Sequence, residues 1–420
     1  MPPHDPVALG LSLPLWSVVP FAGLLLSIAL LPLFAPSLWV RHYAKVCLAF
    51  GVPVAGFFLL RAPRELLHTV LEYASFLILL ASLFTISGGI LLRGTLRGSA
   101  GVNCAILAVG AVLANVFGTT GASMLLIRPL LRANAHRHRK AHVVVFFIFV
   151  VANIGGALTP IGDPPLFLGY LRGVPFFWTL RAMGLLWAVA AGLVIGAFYL
   201  VDRRAFALDT VAGGDLAAAS GEARVPLSIE GKINLPLLMV VIGAVFLPTP
   251  WREMAMVAAA FVSAWKTPAK VREENEFTWY PIEEVAVLFA GIFATMIPAL
   301  LILKARGAEL GVVSPAHFFW ATGVLSSFLD NAPTYLTFFS LAQGVGGTQT
   351  VAGVSAPLLQ ALSAGAVFMG ANSYIGNAPN FMVKAIAEEA GVRMPSFFGY
   401  MAWSCGILLP IFALLTLLFF

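Results

Sequence analysis

The chain has 420 residues, of which 60% are hydrophobic and only 10% are charged, and its formal net charge is +6. Soluble domains contain about 25% charged residues, so this composition excludes a water-soluble globular protein. The three cysteines, Cys47, Cys104 and Cys405, lie far apart in the sequence. This spacing excludes a disulfide framework and a cysteine metal cluster. We therefore predict a polytopic membrane protein.

In chain order, apolar runs long enough to cross a hydrocarbon layer of about 30 Å fall into two sets. The first set lies at about 15–34, 43–60, 70–92, 143–171 and 176–200, and the second at about 233–249, 252–265, 282–303, 357–390 and 397–420. Two further stretches, at about 102–127 and 315–341, are interrupted by small and polar residues. We predict that each forms a re-entrant hairpin, which enters and leaves by the same face. Residues 1–14 contain no Lys or Arg, so we expect no cleavable signal peptide there.

The short basic segment "RPLLRANAHRHRKAH" (128–142) sets the predicted orientation. It contains five Lys and Arg residues, so the positive-inside rule places it in the cytoplasm. With the hairpins treated as non-crossing, 18 of the 25 Lys and Arg residues of the chain then lie inside. We interpret His136, His138 and His142 as part of this solvated basic anchor rather than as a metal site. The charge bias predicts a multi-pass protein of a cell (inner) membrane.

The one long polar stretch, residues 202–232, is predicted to be a cytoplasmic linker between two halves at 15–201 and 233–420. Two pairs of interrupted segments match between these halves. "ANVFGTTGASMLL" (114–126) aligns with "SSFLDNAPTYLTF" (326–338) at an offset of 212, and "GALTPIGDPPLFL" (156–168) aligns with "GANSYIGNAPNFM" (370–382) at an offset of 214.

Each half therefore consists of three spans, one hairpin and two further spans, the first of which is a broken helix. Five crossings is an odd number, so the second half is inserted upside down. The expected fold class is an all-α polytopic membrane protein with two inverted-topology repeats, each of five transmembrane helices plus one re-entrant hairpin. Such repeats, with helices broken near the midplane, are typical of secondary transporters.

The interrupted segments also bring polar groups to membrane depth. Only Asp163 and Asp330 are acids at that depth, where an ionisable group costs about 3 kcal/mol or more and usually marks a pathway. We predict a hard-cation site for Na+ with these two acids as metal ligands, because carboxylate, hydroxyl, amide and carbonyl oxygens are the ligands of such ions. The other predicted ion- or substrate-binding residues are Asn331, Asn377, Thr119, Thr120, Thr159, Gly162, Asn153, Asn372 and Ser373, with Asn115 and Asn380 nearby.

Each acid also has a purely local interpretation. Asp163 stands directly before Pro164, which suits the first turn of a helix, so Asp163 is a candidate N-cap. Asn377 stands at the corresponding place in the second half and is its neutral counterpart. Asp330 also precedes a proline by a few residues and can act as a turn former.

At these residues the chain resembles the ion transporter superfamily, in its sodium/proton antiporter, arsenite permease and citrate-transporter-like branch, and within it a citrate-transport subgroup. The resemblance rests on "GGALTPIGDPPLFLG", "SSFLDNAPTY" and "IGNAPNFM", in that order. It implies that the hairpin-tip motif falls on Asp330 and Asn331. The family's unwound-helix motifs fall on 162–165 and 376–379. The chain departs from the pattern at Gly118-Thr119-Thr120, where relatives often carry an Asp-Asn or Ser-Asn pair.

Two transport functions remain open. The first is sodium:proton antiport, in which one buried carboxylate binds Na+ or H+ in turn. The second is cation-coupled transport of citrate, another organic anion or an arsenite-type anion, although no Lys or Arg is predicted at mid-membrane to pair with it. An enzyme is not expected, because no His lies at the centre of a span.

The partners follow from this function. We expect membrane lipid, small inorganic ions and, in the second case, a carboxylate anion, with no nucleic acid. We expect no cofactor, since Na+ and H+ are the transported or coupling ions. The resemblance implies a homodimer.

Overall fold

The computed structural model describes residues 6–94, 96–212, 226 and 228–420. The first half contains α1 (Pro6–Ser12), α2 (Val19–Phe34), α3 (Pro36–Arg61), α4 (Pro63–Ser87), α5 (Ala100–Ala133), α6 (Ala141–Val150), α7 (Pro164–Leu171) and α8 (Trp178–Ala212), with 3-10 turns at Leu15–Val18 and Ile154–Leu158. The second contains α9 (Asn234–Ala244), α10 (Trp251–Lys266), α11 (Ala269–Glu274), α12 (Tyr280–Arg306), α13 (Pro315–Ser326), α14 (Asn331–Val345), α15 (Ala356–Met369), α16 (Ala378–Glu389) and α17 (Phe397–Phe419), with 3-10 turns at Gly307–Leu310 and Gly370–Asn372.

Strands are few and short. β1 (Leu91–Arg93) pairs antiparallel with β2 (Ser228–Glu230), and β3 (Thr350–Val351) pairs with β4 (Val354–Ser355). Of the predicted linker at 202–232, the first residues extend α8 and the last form β2, whereas 213–225 and 227 lie outside the described residues.

Eight helical segments in the described part of the chain are long and apolar enough to cross a membrane. Seven of them coincide with predicted spans, and the eighth, Ala100–Ala133, is the segment predicted as the first hairpin. The all-helical, multi-pass membrane class is thereby confirmed.

Two predicted spans are helices shorter than the hydrocarbon layer. α9 has 11 residues and α10 has 16, which at 1.5 Å per residue gives about 17 and 24 Å, less than a hydrocarbon layer of about 30 Å. Pro248 lies near the end of the apolar run at 233–249, and Pro250 directly follows the run. Pro248 has no N–H to donate to the carbonyl of Ala244, and its ring clashes with that carbonyl, so the helix stops at Ala244 although the run remains apolar.

The first hairpin folds back at Gly118. This residue has φ 74° and ψ 158° inside α5, a conformation that essentially only glycine adopts. An unbroken helix of 34 residues would be about 51 Å long. Instead, the two ends of α5 meet: the Gly98 N–H donates to the Ala133 carbonyl at 2.7 Å, and the Asn103 and Asn134 amides pair at 2.8 and 3.0 Å.

The second hairpin is formed by α13 and α14, joined by residues 327–330. The rings of Phe318, in the first turn of α13, and Phe338, two turns into α14, lie 6.2 Å apart. The chain therefore reverses between the two helices and returns towards the face from which it came.

The two broken helices resume in the same way, although the first break is longer. α6 ends at Val150 and α7 begins only at Pro164, while α15 ends at Met369 and α16 begins at Ala378. Asp163 has φ −145° and ψ 142°, and Asn377 has φ −153° and ψ 139°, so both stand in extended backbone directly before a half-helix. α6 is apolar and buried all round, as expected of a helix at the centre of a bundle.

The basic segment at 128–142 is only partly the solvated loop that was predicted. α5 continues to Ala133, and Arg137 and His142 are buried, at 3% and 7% exposed. Both contact Oδ1 of the fully buried Asp202 on α8, from Arg137 Nη1 at 2.6 Å and from His142 Nε2 at 2.7 Å. A buried carboxylate requires such partners, so the interpretation of His142 as solvated is wrong.

Candidate functional site

Asp163 lies at the centre of a cradle built from both halves of the chain. Its side chain is 1% exposed. The Thr119 hydroxyl, at the tip of the first hairpin, donates to Oδ1 at 2.8 Å. Asn331 Nδ2, at the start of α14, donates to Oδ2 at 2.5 Å, and Asn377 Nδ2, before α16, donates to Oδ1 at 3.3 Å. Three segments that are distant in sequence therefore converge on one carboxylate.

The carboxylate of Asp163 does not cap its own helix. Asp163 occupies the N-cap position of α7 but makes no side-chain capping bond. A capping side chain accepts from the N–H of the second or third helical residue. Here Pro164 and Pro165 supply no N–H, and the N–H of Leu166 already donates to the Asp163 carbonyl at 3.0 Å. The two prolines thus leave the side chain free for partners from other helices.

Asp330 has a different role from Asp163. Its Oδ1 accepts from the Ala332 N–H at 3.0 Å, and it is the N-cap of α14. Among the described residues no hydrogen bond joins its carboxylate to the Asp163 cradle. Its neighbour Asn331 makes that connection instead. The local interpretation of Asp330 as a cap therefore agrees with its geometry, and its predicted role as a sodium ligand stays a prediction.

A chain of amides surrounds the cradle and connects the halves. Asn153 Nδ2 donates to Asn380 Oδ1 at 2.7 Å and to the Ile148 carbonyl at 2.8 Å. Asn377 Nδ2 also donates to the Ala152 carbonyl at 3.1 Å and to Asn153 Oδ1 at 3.3 Å. These bonds hold the unwound turn after α6 against the one before α16, and they satisfy backbone groups that a membrane interior would otherwise leave unpaired.

Equivalent residues in the two halves make equivalent contacts. The Thr159 hydroxyl donates to the Asn115 carbonyl at 2.7 Å, and the Ser373 hydroxyl donates to the Ser327 carbonyl. By the sequence alignment, Thr159 corresponds to Ser373 and Asn115 to Ser327. In each half, a hydroxyl of the broken helix is thus anchored to the arm of the hairpin that precedes the tip.

The remaining predicted residues fall into three groups. The Gly162 carbonyl accepts from the Thr119 N–H at 2.8 Å, so Gly162 belongs to the cradle. Asn372 donates to the Ser327 hydroxyl at 2.9 Å and, like Ser373, lies beside the second hairpin rather than on Asp163. Thr120 is partly exposed, and its hydroxyl makes no hydrogen bond with any residue that the structure describes. Sequence reasoning missed Ser327, although its alignment with Asn115 was a usable signal.

One buried oxygen at the cradle has no partner. Asn331 is fully buried, and while its Nδ2 donates to Asp163, its Oδ1 accepts no hydrogen bond within the described residues. Buried polar atoms are rarely left unsatisfied, and an exception calls for an explanation such as an ion. Together with the carboxylate and the Thr119 hydroxyl, this oxygen gives the donor set of a hard cation such as Na+.

The positive partial charges at the cradle come from the backbone. Four half-helices begin at the site: the second arm of α5 at Thr119, α7, α14 and α16. Each positive helix end is equivalent to about half an elementary charge. The three side chains that donate to Asp163 are all neutral. The Asp163 carboxylate is therefore surrounded by positive helix ends and neutral donors, and no side-chain cation of the described residues contacts it.

The comparisons with known proteins identify the family. The family described as putative citrate transport matches residues 10–420, almost the whole chain, and the chain belongs to it. None of the curated proteins compared with the chain matches it. The family agrees with the citrate-transporter-like branch that the sequence motifs indicated. It makes this chain a member of a transporter family.

Proposed function

We propose that the chain is a sodium:proton antiporter in which Asp163 binds either Na+ or H+. The observation that carries this proposal is a fully buried carboxylate whose hydrogen-bond donors are all neutral, beside an unsatisfied amide oxygen of Asn331. A buried acid without a bound side-chain cation needs a mobile one, because an uncompensated charge at membrane depth is costly.

Competition at one carboxylate couples the two ions. Burial favours the protonated, neutral form of an acid, and a nearby cation favours the ionised form. Bound Na+ and bound H+ therefore exclude each other at Asp163. If the cradle opens to one side of the membrane at a time, each Na+ that leaves in one direction is replaced by H+ carried in the other.

Alternating exposure of this kind is favoured by two inverted repeats around one site. The proposal that this chain contains such repeats is supported by the matched backbone conformations of Asp163 and Asn377 and by the matched hydroxyl anchors at Thr159 and Ser373. The site receives side chains from both halves, so a displacement of one half against the other would disassemble it.

Cation-coupled citrate transport is the second candidate, because the family is described by that substrate. The converging helix ends would also favour an anion. Against it stands the absence of Lys or Arg among the side chains that the structure places on Asp163. A tricarboxylate beside this aspartate would require bound cations to screen the repulsion.

The test is ion exchange in proteoliposomes with the purified protein. An imposed Na+ gradient should move protons in the wild type, and Asp163→Asn should abolish this flux. Glu309→Gln is the matched control, because Glu309 is an exposed acid away from the cradle, and it should retain the flux. Full Na+-driven proton movement by Asp163→Asn would contradict the mechanism. Accumulation of labelled citrate by the wild type, without Na+:H+ exchange, would establish the second candidate instead.

A further inference from the structure

A second polar feature lies at the end of the molecule predicted to face the cytoplasm, away from Asp163. It is a cavity of about 610 Å³ between the segment before α6, the last part of α8, the loop after α16 and the start of α17. The lining residues with polar or aromatic side chains are His138, Arg139, Lys140, His142, Arg393 and Trp403. None of the lining residues is an Asp or a Glu.

The positive charge of this basic cavity is only partly compensated. Arg139 Nε lies 3.9 Å from Asp209 Oδ1, a weak contact. Lys140 and Arg393 have no ion pair with any residue in the described ranges. Cations that share a concave site with low-dielectric walls create a focused positive potential. The cavity is therefore suited to an anion with more than one negative charge.

A buried network of polar side chains holds the wall of the basic cavity in place. His142 contacts Asp202 at 2.7 Å, and Arg137 contacts the same carboxylate at 2.6 Å. Asn103, at the start of α5, donates to the second oxygen of Asp202 at 3.1 Å. This network fixes the chain on both sides of Arg139 and Lys140. A site that is already ordered loses less entropy when it binds a ligand.

We propose that the basic cavity is a binding site for a small multivalent oxyanion, a polycarboxylate or a phosphate compound, taken from the cytoplasmic side. Lys140, before α6, and Arg393, in the loop after α16, supply charge from two different segments of the lining. Arg139 supplies a planar group that can bind carboxylate or phosphate through two hydrogen bonds. The site is distinct from the cradle, because α6, with ten residues, separates them by about 15 Å.

The experiment measures anion binding to the full-length protein in nanodiscs of neutral lipid, by calorimetry with citrate and with pyrophosphate. The wild type should bind at least one of them. Lys140→Gln and Arg393→Gln should each weaken binding about five-fold, as expected for one exposed ion pair of up to 1 kcal/mol, and the double variant about 25-fold if the two are additive. Arg203→Gln removes an exposed cation of α8 that does not line the cavity and should bind like the wild type.

A second arm distinguishes a soluble anion from a lipid phosphate. Nanodiscs with anionic lipid should reduce citrate or pyrophosphate binding if a headgroup occupies the basic cavity. In that case the double variant should retain less anionic lipid than the wild type, as measured by native mass spectrometry. The proposal is overturned if neither soluble anion nor anionic lipid binds, or if binding is unchanged in the double variant. The measurement is of binding and does not depend on ion exchange, so failure of the antiport proposal would leave this result intact.

Discussion

Thr119 and Thr120 offer the sharpest test of the Asp163 cradle, because these two adjacent threonines differ in their burial and hydrogen bonding. The Thr119 hydroxyl is buried and donates to the Asp163 carboxylate at 2.8 Å. Thr120 is partly exposed, and its hydroxyl makes no hydrogen bond to the rest of the described chain. Valine has nearly the shape of threonine without the hydroxyl. Thr119→Val therefore removes one donor from the carboxylate, and one oxygen from the donor set, with little change in packing.

The magnitude follows from the type of hydrogen bond. A bond to a charged group contributes about 1.5–3 kcal/mol, and every 1.4 kcal/mol is a factor of about ten in an equilibrium constant. We expect Thr119→Val to raise the Na+ concentration needed for half-maximal exchange by about 10- to 100-fold. The assay is Na+-driven proton flux in proteoliposomes over a range of Na+ concentrations at constant pH.

Thr120→Val is the matched control and should keep the Na+ dependence of the wild type. Equal loss in both variants would show that the hairpin tip as a whole matters rather than this hydrogen bond. Unchanged Na+ dependence in Thr119→Val, with normal protein yield, would refute the assignment of Thr119 to the ion site.

Two further predictions concern stability and its pH dependence. Asp202→Asn removes the nearer of the two carboxylates beside buried Arg137, at 2.6 Å against 3.9 Å for Asp209. It should therefore lower the free energy of unfolding by about 3 kcal/mol, measured by denaturant titration in detergent. Glu388→Gln, which removes an exposed pair with Lys384, should cost at most about 1 kcal/mol, and similar losses in both variants would contradict the role of burial. His136 lies in the loop between α5 and α6, where burial, followed by the charges of Arg97 and Arg137, lowers its pKa below 6.5. As pH falls, the unfolded chain therefore binds this proton before the folded chain does, so the free energy of unfolding should decrease below about pH 6.5. His136→Gln should make the decrease between pH 7.5 and 5.5 smaller. An identical decrease in the variant would count against His136 as its source.

The sequence by itself determined the membrane class and most of the long apolar helices. These features depend on local chemistry: a run of apolar side chains must cross the lipid, and a Gly or Pro interruption at depth is tolerated only where protein covers the freed backbone. Gly118 and Pro164 therefore mark breaks that the structure contains. The same local signals misjudged 233–249, where prolines inside an apolar run end α9 early.

Only the tertiary structure decided what the polar side chains do. In the sequence, Asp163 and Asp330 have the same status, as acids that precede prolines in interrupted apolar segments. In three dimensions Asp330 caps its own helix, while Pro164 and Pro165 deny Asp163 a local donor and leave its carboxylate to Thr119, Asn331 and Asn377. Likewise Arg137 and His142, basic residues of a segment that reads as solvated, are buried against Asp202. Hydrogen-bond partners that lie more than 40 residues apart are set by how helices pack, and helix packing is not encoded in any short stretch of the chain.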